Sequence, residues 1–206
     1  MTTQSLRLSP VQARRKAVLL AAIVCVFALF AVTRAQVFGA NLHEAIEIVG
    51  MIAILGCIFG RCWCSLYIGG RKISELVTVG PYSLCRNPLY TFTFIGAAGA
   101  MAQSGSLTLV VVGSLITWIV FRLVVRKEER LLTSIYGETY EQYLKTTPRF
   151  LPNFSLWQGV ETVEARPKRI VFTFVDGLAF FLAVPVAEVF EHLQTTGVVP
   201  VLLQLP

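Results

Sequence analysis

Apolar residues in this chain fall in long runs, not in the short alternations of a soluble fold. The first run extends from Ala17 to Thr33, followed by a short loop over Arg34 to Glu44. The second begins near Ala45 and is unbroken from Ile48 to Gly60. It can continue through Cys62-Trp63-Cys64 to Ile68, with Arg61 reaching the interface on its long stem. Gly69-Gly70-Arg71-Lys72 ends it. From Asn87 to Phe121 there are 35 residues without one Asp, Glu, Lys or Arg. That stretch is broken only at Gln103-Ser104-Gly105-Ser106, so it predicts two membrane helices joined by a tight turn. A fifth run extends from Ile170 to Phe190 and carries Asp176 and Pro185. The apolar tail from Val198 to Pro206 is too short to span and is expected at the interface or against the bundle.

The punctuation supports these boundaries. Pro88 suits the first turn of a helix, where its missing N–H has no partner to lose, and Asn87 suits the N-cap before it. The helix from Leu107 is predicted to leave the membrane and continue through Arg122, Glu128-Glu129 and Leu132 until Gly137 stops it. Residues 138–168 are amphipathic and polar, punctuated by Pro148, Pro152, Gly159 and Pro167. Pro185 predicts a kink in the last span. The expected architecture is all-α: a polytopic membrane helix bundle of about five spans, built as a single domain over residues 1–206 without internal repeats.

Composition changes the picture little, but charge gives it a direction. The chain is 55% hydrophobic and 15% charged, against about 25% charged in a soluble domain. Its net charge of +6 is divided between apolar runs and forms no contiguous face, so anionic lipid is the expected partner and nucleic acid is not. With the N-terminus in the cytoplasm, seventeen of the eighteen basic residues fall on cytoplasmic segments and only Arg34 lies outside. This predicts a multi-pass protein, expected in a bacterial inner membrane, with its polar chemistry on the cytoplasmic side. Arg14-Arg15-Lys16 before the first run has the look of a signal peptide, but no small-x-small cleavage site follows and a first membrane helix is expected. The five cysteines are odd in number and no disulfide framework is expected.

Two segments on that side have unusual composition. One is Gly80-Pro81-Tyr82-Ser83-Leu84-Cys85-Arg86-Asn87-Pro88-Leu89-Tyr90, entering the third span. The other leaves the fourth as Glu128-Glu129-Arg130-Leu131-Leu132. It is followed by Tyr136-Gly137-Glu138-Thr139-Tyr140-Glu141-Gln142-Tyr143 and Pro148-Arg149-Phe150-Leu151-Pro152. A hairpin between them brings Arg86-Asn87 and Glu128-Glu129 to one membrane face. In order and spacing these motifs resemble the isoprenylcysteine carboxyl methyltransferase and phospholipid methyltransferase superfamily of membrane enzymes. The resemblance covers residues 80–152 and leaves the span over 170–190 as an addition to it.

That resemblance implies methyl transfer from S-adenosylmethionine, bound on the cytoplasmic side, to a lipophilic substrate arriving from the bilayer. Carboxyl O-methylation of an isoprenylcysteine-like substrate comes first. A phospholipid amine or a thiol comes second. The implied cofactor-binding residues are Tyr82, Arg86, Asn87, Pro88, Tyr90, Glu128, Glu129, Tyr136 and Tyr140. Arg86 suits the cofactor carboxylate, helped by the helix N–H groups near Asn87 and Leu89; Glu128 or Glu129 suits the ammonium; the tyrosines suit adenine or sulfonium. A carboxylate or thiolate acceptor needs no strong base, so positioning and water exclusion carry the acceleration and no catalytic base is assigned. Asn87 stands where the family motif has His and cannot carry a proton charge. Tyr136 stands for a Phe.

Plainer readings accompany each residue. Asn87 serves equally as an N-cap. Glu128-Glu129 reads also as a solvated helix end with Arg126 as its neighbour. The tyrosines read also as an interfacial belt, and Arg122, Arg126 and Lys127 as head-group contacts. His43-Glu44 with Glu47, and Cys62-Trp63-Cys64, lack further ligands and no metal site is expected. Asp176 inside the last span is expected to pair with a basic residue, line the substrate path or reach the near interface. No obligate protein partner is evident. Rival functions are a nicotinamide-dependent membrane reductase, although no G-x-G-x-x-G is present, and a non-catalytic membrane protein, which Asn87 keeps open.

Overall fold

A computed structural model describes residues 33–35, 40–68, 75–199, 201 and 203–205. Helix α1 spans Ala40–Ile68 and the short α2 spans Pro81–Leu84. A hairpin follows, of α3, Pro88–Ala102, and α4, Leu107–Tyr136. Helix α5 covers Glu138–Thr146 and a single 3-10 turn covers Phe154–Leu156. The chain ends in α6, Pro167–Leu178, a 3-10 segment Ala179–Leu182, and α7, Ala183–Thr195. Three helical stretches among the described residues are long and apolar enough to cross a membrane: Asn41–Ile68, Leu107–Tyr136 and Pro167–Thr195. The protein is a helical membrane bundle.

Three of the five expected spans meet the length and apolarity of a crossing helix among the described residues. The first expected span lies outside the described residues apart from Thr33. The third, α3, has 15 residues and rises only about 22 Å, short of the ~30 Å hydrocarbon core. Its end is shielded instead. Gln103 is buried and donates from Nε2 to the carbonyl of Glu47 at 3.1 Å, in α1. The turn amides of Gln103, Ser104 and Gly105 each bond back into α3. Ser106 caps α4 by accepting from the amide of Leu109. A turn with its polar groups satisfied inside the bundle can sit within the bilayer.

Helix α3 is the centre of the assembly, with α1 on one side and α4 on the other. The α1–α3 seam is made by small residues that let the backbones approach. A methyl group added at Gly99 would lie 2.6 Å from the Gly50 carbonyl oxygen. Ile54, Cys57 and Cys64 of α1 are fully buried, while Ile48, Val49, Ile52 and Phe59 face outward as expected toward lipid. On α4 the buried residues are Leu109, Gly113, Thr117, Phe121, Val125 and Glu129, one at every fourth position. Each step of four advances about 40° around the helix, so the buried face turns along its length and delivers Glu129 to the inside.

The last span packs on α1. Asp176 pairs with Arg61, whose guanidinium also lies over the Phe180 ring, 5.8 Å from its centroid. Ser65 and Thr173 share a hydroxyl hydrogen bond at 2.8 Å. The expected irregularity at Pro185 is the 3-10 segment just before it: the proline ring crowds the carbonyl at Phe181 and lacks an N–H to close the helix. Thr33–Ala35 and Leu203–Leu205 pair as a two-stranded parallel sheet, Thr33 opposite Leu203. The pairing joins the end of the first apolar run and the loop after it to the apolar tail, a non-local contact that no local pattern announces.

Candidate functional site

The site lies where the α3–α4 hairpin meets the end of α1. Gly80 takes φ 61, a conformation open to glycine, with the Tyr67 ring against the place a side chain would occupy. The turn that follows is fastened from several directions. The Ser83 hydroxyl donates to the Gly80 carbonyl at 2.7 Å, the Tyr143 hydroxyl to the Tyr82 carbonyl at 2.6 Å, and the Arg86 amide to the Pro148 carbonyl at 2.8 Å. Tyr82 and Arg86 are therefore held on a short rigid turn before α3 begins.

Glu129 is the electrostatic centre. It is 5% exposed and lies between two guanidiniums. Arg149 Nη2 sits 2.7 Å from Oε2 and its Nε donates to Oε1 at 3.2 Å. Arg86 Nε is 3.2 Å from Oε1, and Arg86 Nη1 donates to the Leu144 carbonyl at 2.6 Å. Asn87 Nδ2 donates to Glu129 Oε1 at 3.4 Å and to the Arg149 carbonyl at 3.2 Å. Two expectations change. Asn87 precedes α3, but its side chain makes no capping hydrogen bond. Glu129 is not a solvated helix end beside Arg126; it is buried against Arg86 and Arg149.

A cavity of about 70 Å³ opens beside this lattice. It brings together Tyr82, Arg86, Asn87, Tyr90, Glu128, Tyr136 and Tyr140 of the sequence-named residues. Pro88 and Glu129 are not part of its wall. Ile68, Leu89 and Leu132 give the cavity an apolar side. It also includes Glu75 and Tyr143, which sequence reasoning did not select. Tyr143 stood in the quoted motif, seven residues after Tyr136 and three after Tyr140; Glu75 carried no local signal. Arg149, the main partner of Glu129, also stood in a quoted motif.

The hydroxyls of Tyr82 and Tyr136 are buried and lack a hydrogen-bond partner among the described residues. Burial pushes the Tyr82, Tyr140 and Tyr143 phenols well above their usual range, with Cys64 and Tyr143 adding to it at Tyr82, Glu129 at Tyr140, and Tyr140 at Tyr143. Burial likewise raises the Cys85 thiol against the lowering influence of Thr91. These groups are neutral donors at physiological pH, not bases. Among the described residues no group of three or more His, Cys, Asp or Glu side chains could hold a metal ion. His43 Nε2 pairs with Glu47 Oε1 at 3.1 Å, one helical turn away.

The hairpin foot carries an Arg-Asn-Pro turn, a Glu-Glu pair and a group of tyrosines, Tyr140 and Tyr143 meeting edge to face, and comparison with known proteins gives the class. The phospholipid methyltransferase family matches residues 45–139, and the chain belongs to this family, alongside the isoprenylcysteine methyltransferases. It is 36% identical over 157 residues to a cobalt-zinc-cadmium resistance protein of Cupriavidus metallidurans, covering 76% of this chain and 72% of that one. It is 40% identical over 121 residues to a nickel-cobalt-cadmium resistance protein of Alcaligenes xylosoxydans xylosoxydans, covering 59% of this chain and 56% of that relative's length. It is 38% identical over 82 residues to the protein-S-isoprenylcysteine O-methyltransferase of Schizosaccharomyces pombe, covering 40% of this chain and 35% of that protein. No solved structure matches the chain. The family match ends before α6, so Asp176 and the last span lie beyond it while the partner Arg61 lies within it.

Proposed function

We propose that the protein is an S-adenosylmethionine-dependent methyltransferase acting on a lipophilic or small acceptor that reaches the site from the bilayer. One observation carries this reading: the cavity joins a guanidinium, a carboxylate and two buried phenol hydroxyls that have no hydrogen-bond partner among the described residues. A zwitterionic cofactor with an aromatic ring requires that combination. When bound, the cofactor supplies an electrophilic methyl group on a sulfonium. Arg86 would hold its carboxylate and Glu128 its ammonium, while Tyr82 and Tyr136 would donate hydrogen bonds.

Ligand pockets usually enclose about 300 Å³ or more, so the cavity of about 70 Å³ would have to widen to take the cofactor. Glu75, Leu76 and Val77, with Arg86 and Asn87, are the parts of its wall outside the helices. Ile68, Leu89 and Leu132 exclude water from the reacting atoms.

Carboxyl O-methylation is the preferred reaction. An amine or thiol acceptor has a proton to shed, and the phenols of the cavity stay protonated; a carboxylate has none. Relatives whose names give a reaction are O-methyltransferases acting on isoprenylcysteine. The concentration of basic residues at the Arg86 end supports a cytoplasmic site in a bacterial inner membrane. The test is calorimetry on purified protein in nanodiscs with S-adenosylmethionine and S-adenosylhomocysteine. Saturable binding of both, weakened about tenfold or more by Arg86→Met, is expected. Binding of neither overturns the proposal, and tighter binding of a nicotinamide dinucleotide would support a reductase instead.

A further inference from the structure

The stretch from Pro148 to Gln158 looks like a polar loop in sequence, but its contacts place it elsewhere. Phe150 is buried and packs on Trp118 of α4, ring centroids 4.9 Å apart. Its carbonyl accepts the Thr91 hydroxyl at 3.0 Å. Thr91 is in the first turn of α3, and Trp118 lies one turn before Arg122, still within the apolar run. Seven residues later Trp157 stacks on Trp63 at 6.0 Å, about 7 Å from the end of α1. Both ends of the segment thus dock on membrane helices at the depth of their last apolar turn.

Between those two contacts the side chains face outward. Leu151 is 80% exposed, Phe154 75% and Trp157 48%. The backbone amides from Asn153 to Gln158, Phe154 apart, are paired within the protein. The Asn153 amide donates to the Leu84 carbonyl, the Leu156 amide to Asn153, the Trp157 amide to Phe154, and the Gln158 amide to the Ser83 hydroxyl. Asn153 Oδ1 accepts from the Ser155 amide and hydroxyl. Irregular backbone can enter apolar surroundings when its polar groups are paired in this way. Lys145 and Arg149 stand before the exposed tip, and after it Arg166, Lys168 and Arg169 outnumber the intervening Glu161 and Glu164, so the flanks are net positive. An aromatic and aliphatic tip flanked by bases complements an anionic leaflet.

We infer that residues 150–157 are immersed in the leaflet at the Arg86 end of the bundle. Leu151, Phe154 and Trp157 reach the upper acyl carbons, and the flanking bases lie at the phosphates. Through Ser83 and Leu84 the leaflet also steadies the turn that carries Tyr82.

The test is independent of any enzymatic activity. The full chain carrying Trp63→Phe and Trp118→Phe keeps Trp157 as its sole tryptophan. It is reconstituted in vesicles of phosphatidylcholine and phosphatidylglycerol whose phosphatidylcholine is brominated on the upper acyl carbons. Trp157 is expected to lose about half its emission to the brominated lipid and little to aqueous iodide. Quenching by iodide and not by lipid overturns the inference, since the segment would then lie in water. Quenching by neither also overturns it, in favour of a protein contact over the patch. A second measurement uses unmodified protein and phosphatidylcholine with a photoreactive acyl chain. Adducts on Leu151 or Phe154 are expected; labelled spans with none between Phe150 and Gln158 overturn it.

Discussion

Glu128 and Glu129 are neighbours in sequence with different surroundings, because one residue along a helix is a turn of about 100°. Glu129 falls on the inward stripe and takes two arginines and Asn87; Glu128 falls on the cavity wall. Glu129→Gln leaves the largely buried Arg86 and the partly exposed Arg149 without their carboxylate. It is expected to lower stability by about 3 kcal/mol in thermal unfolding of the detergent-solubilised protein. Glu128→Gln should leave the unfolding temperature nearly unchanged and weaken S-adenosylmethionine binding about tenfold by calorimetry. The inward position of Glu129 was not legible in the sequence: Val112, Ile116, Val120 and Val124 form an equally apolar row that leads to Glu128, and only packing selects the row of Leu109, Gly113, Thr117, Phe121 and Val125. Asn87 was no more legible, since Asn before Pro reads as a cap, and only the fold brings Glu129 and the Arg149 carbonyl within reach of its amide. The buried phenols add a pH dependence with a definite sign. Tyr82, Tyr140 and Tyr143 have folded-state pKa values raised above the unfolded value of about 10. Their stabilising contribution is complete below that pH and is lost as pH rises from there toward the folded values. A pH series of unfolding temperatures should be flat from about 7 to 9.5 and fall above about 10.

Among the elements, hydropathy located α1, α4 and the last span because each is long and apolar, and Pro185 announced its irregularity. It could not give the reach of α3. A 15-residue apolar helix and a spanning one look alike until the buried turn at Gln103 is seen held by α1. The contact between α1 and α6 was also beyond reach of the sequence, since 115 positions separate Arg61 from Asp176. That pair lies in apolar surroundings, and removing one partner strands the other. Asp176→Ala should speed amide hydrogen exchange in residues 167–195 about tenfold or more, read by mass spectrometry. The double change Arg61→Met with Asp176→Leu should restore most of the protection, because an apolar pair of similar volume avoids the desolvation cost. Recovery absent from the double variant would mean that the ion pair is more than a clasp.

For the whole molecule, the basic residues cluster at the end where the hairpin foot, α5 and the 148–158 segment meet. A cysteine placed at Lys145 should react with a membrane-impermeant maleimide in inverted bacterial vesicles and not in right-side-out ones; the reverse pattern would invert the topology. Helix α4 also has a mechanical consequence. Its 30 residues run unbroken from the Ser106 cap to Tyr136, a rod of about 45 Å against a hydrocarbon core of ~30 Å. The overhanging third carries Glu128, Leu132 and Tyr136 into the cavity wall. A tilt of about 3° moves its far end by about 2 Å. Bilayers thicker or thinner than the protein's own therefore work the rod as a lever, widening or narrowing the gap between Leu132 and Ile68. Turnover measured in vesicles of graded acyl length should peak at one thickness and fall on both sides.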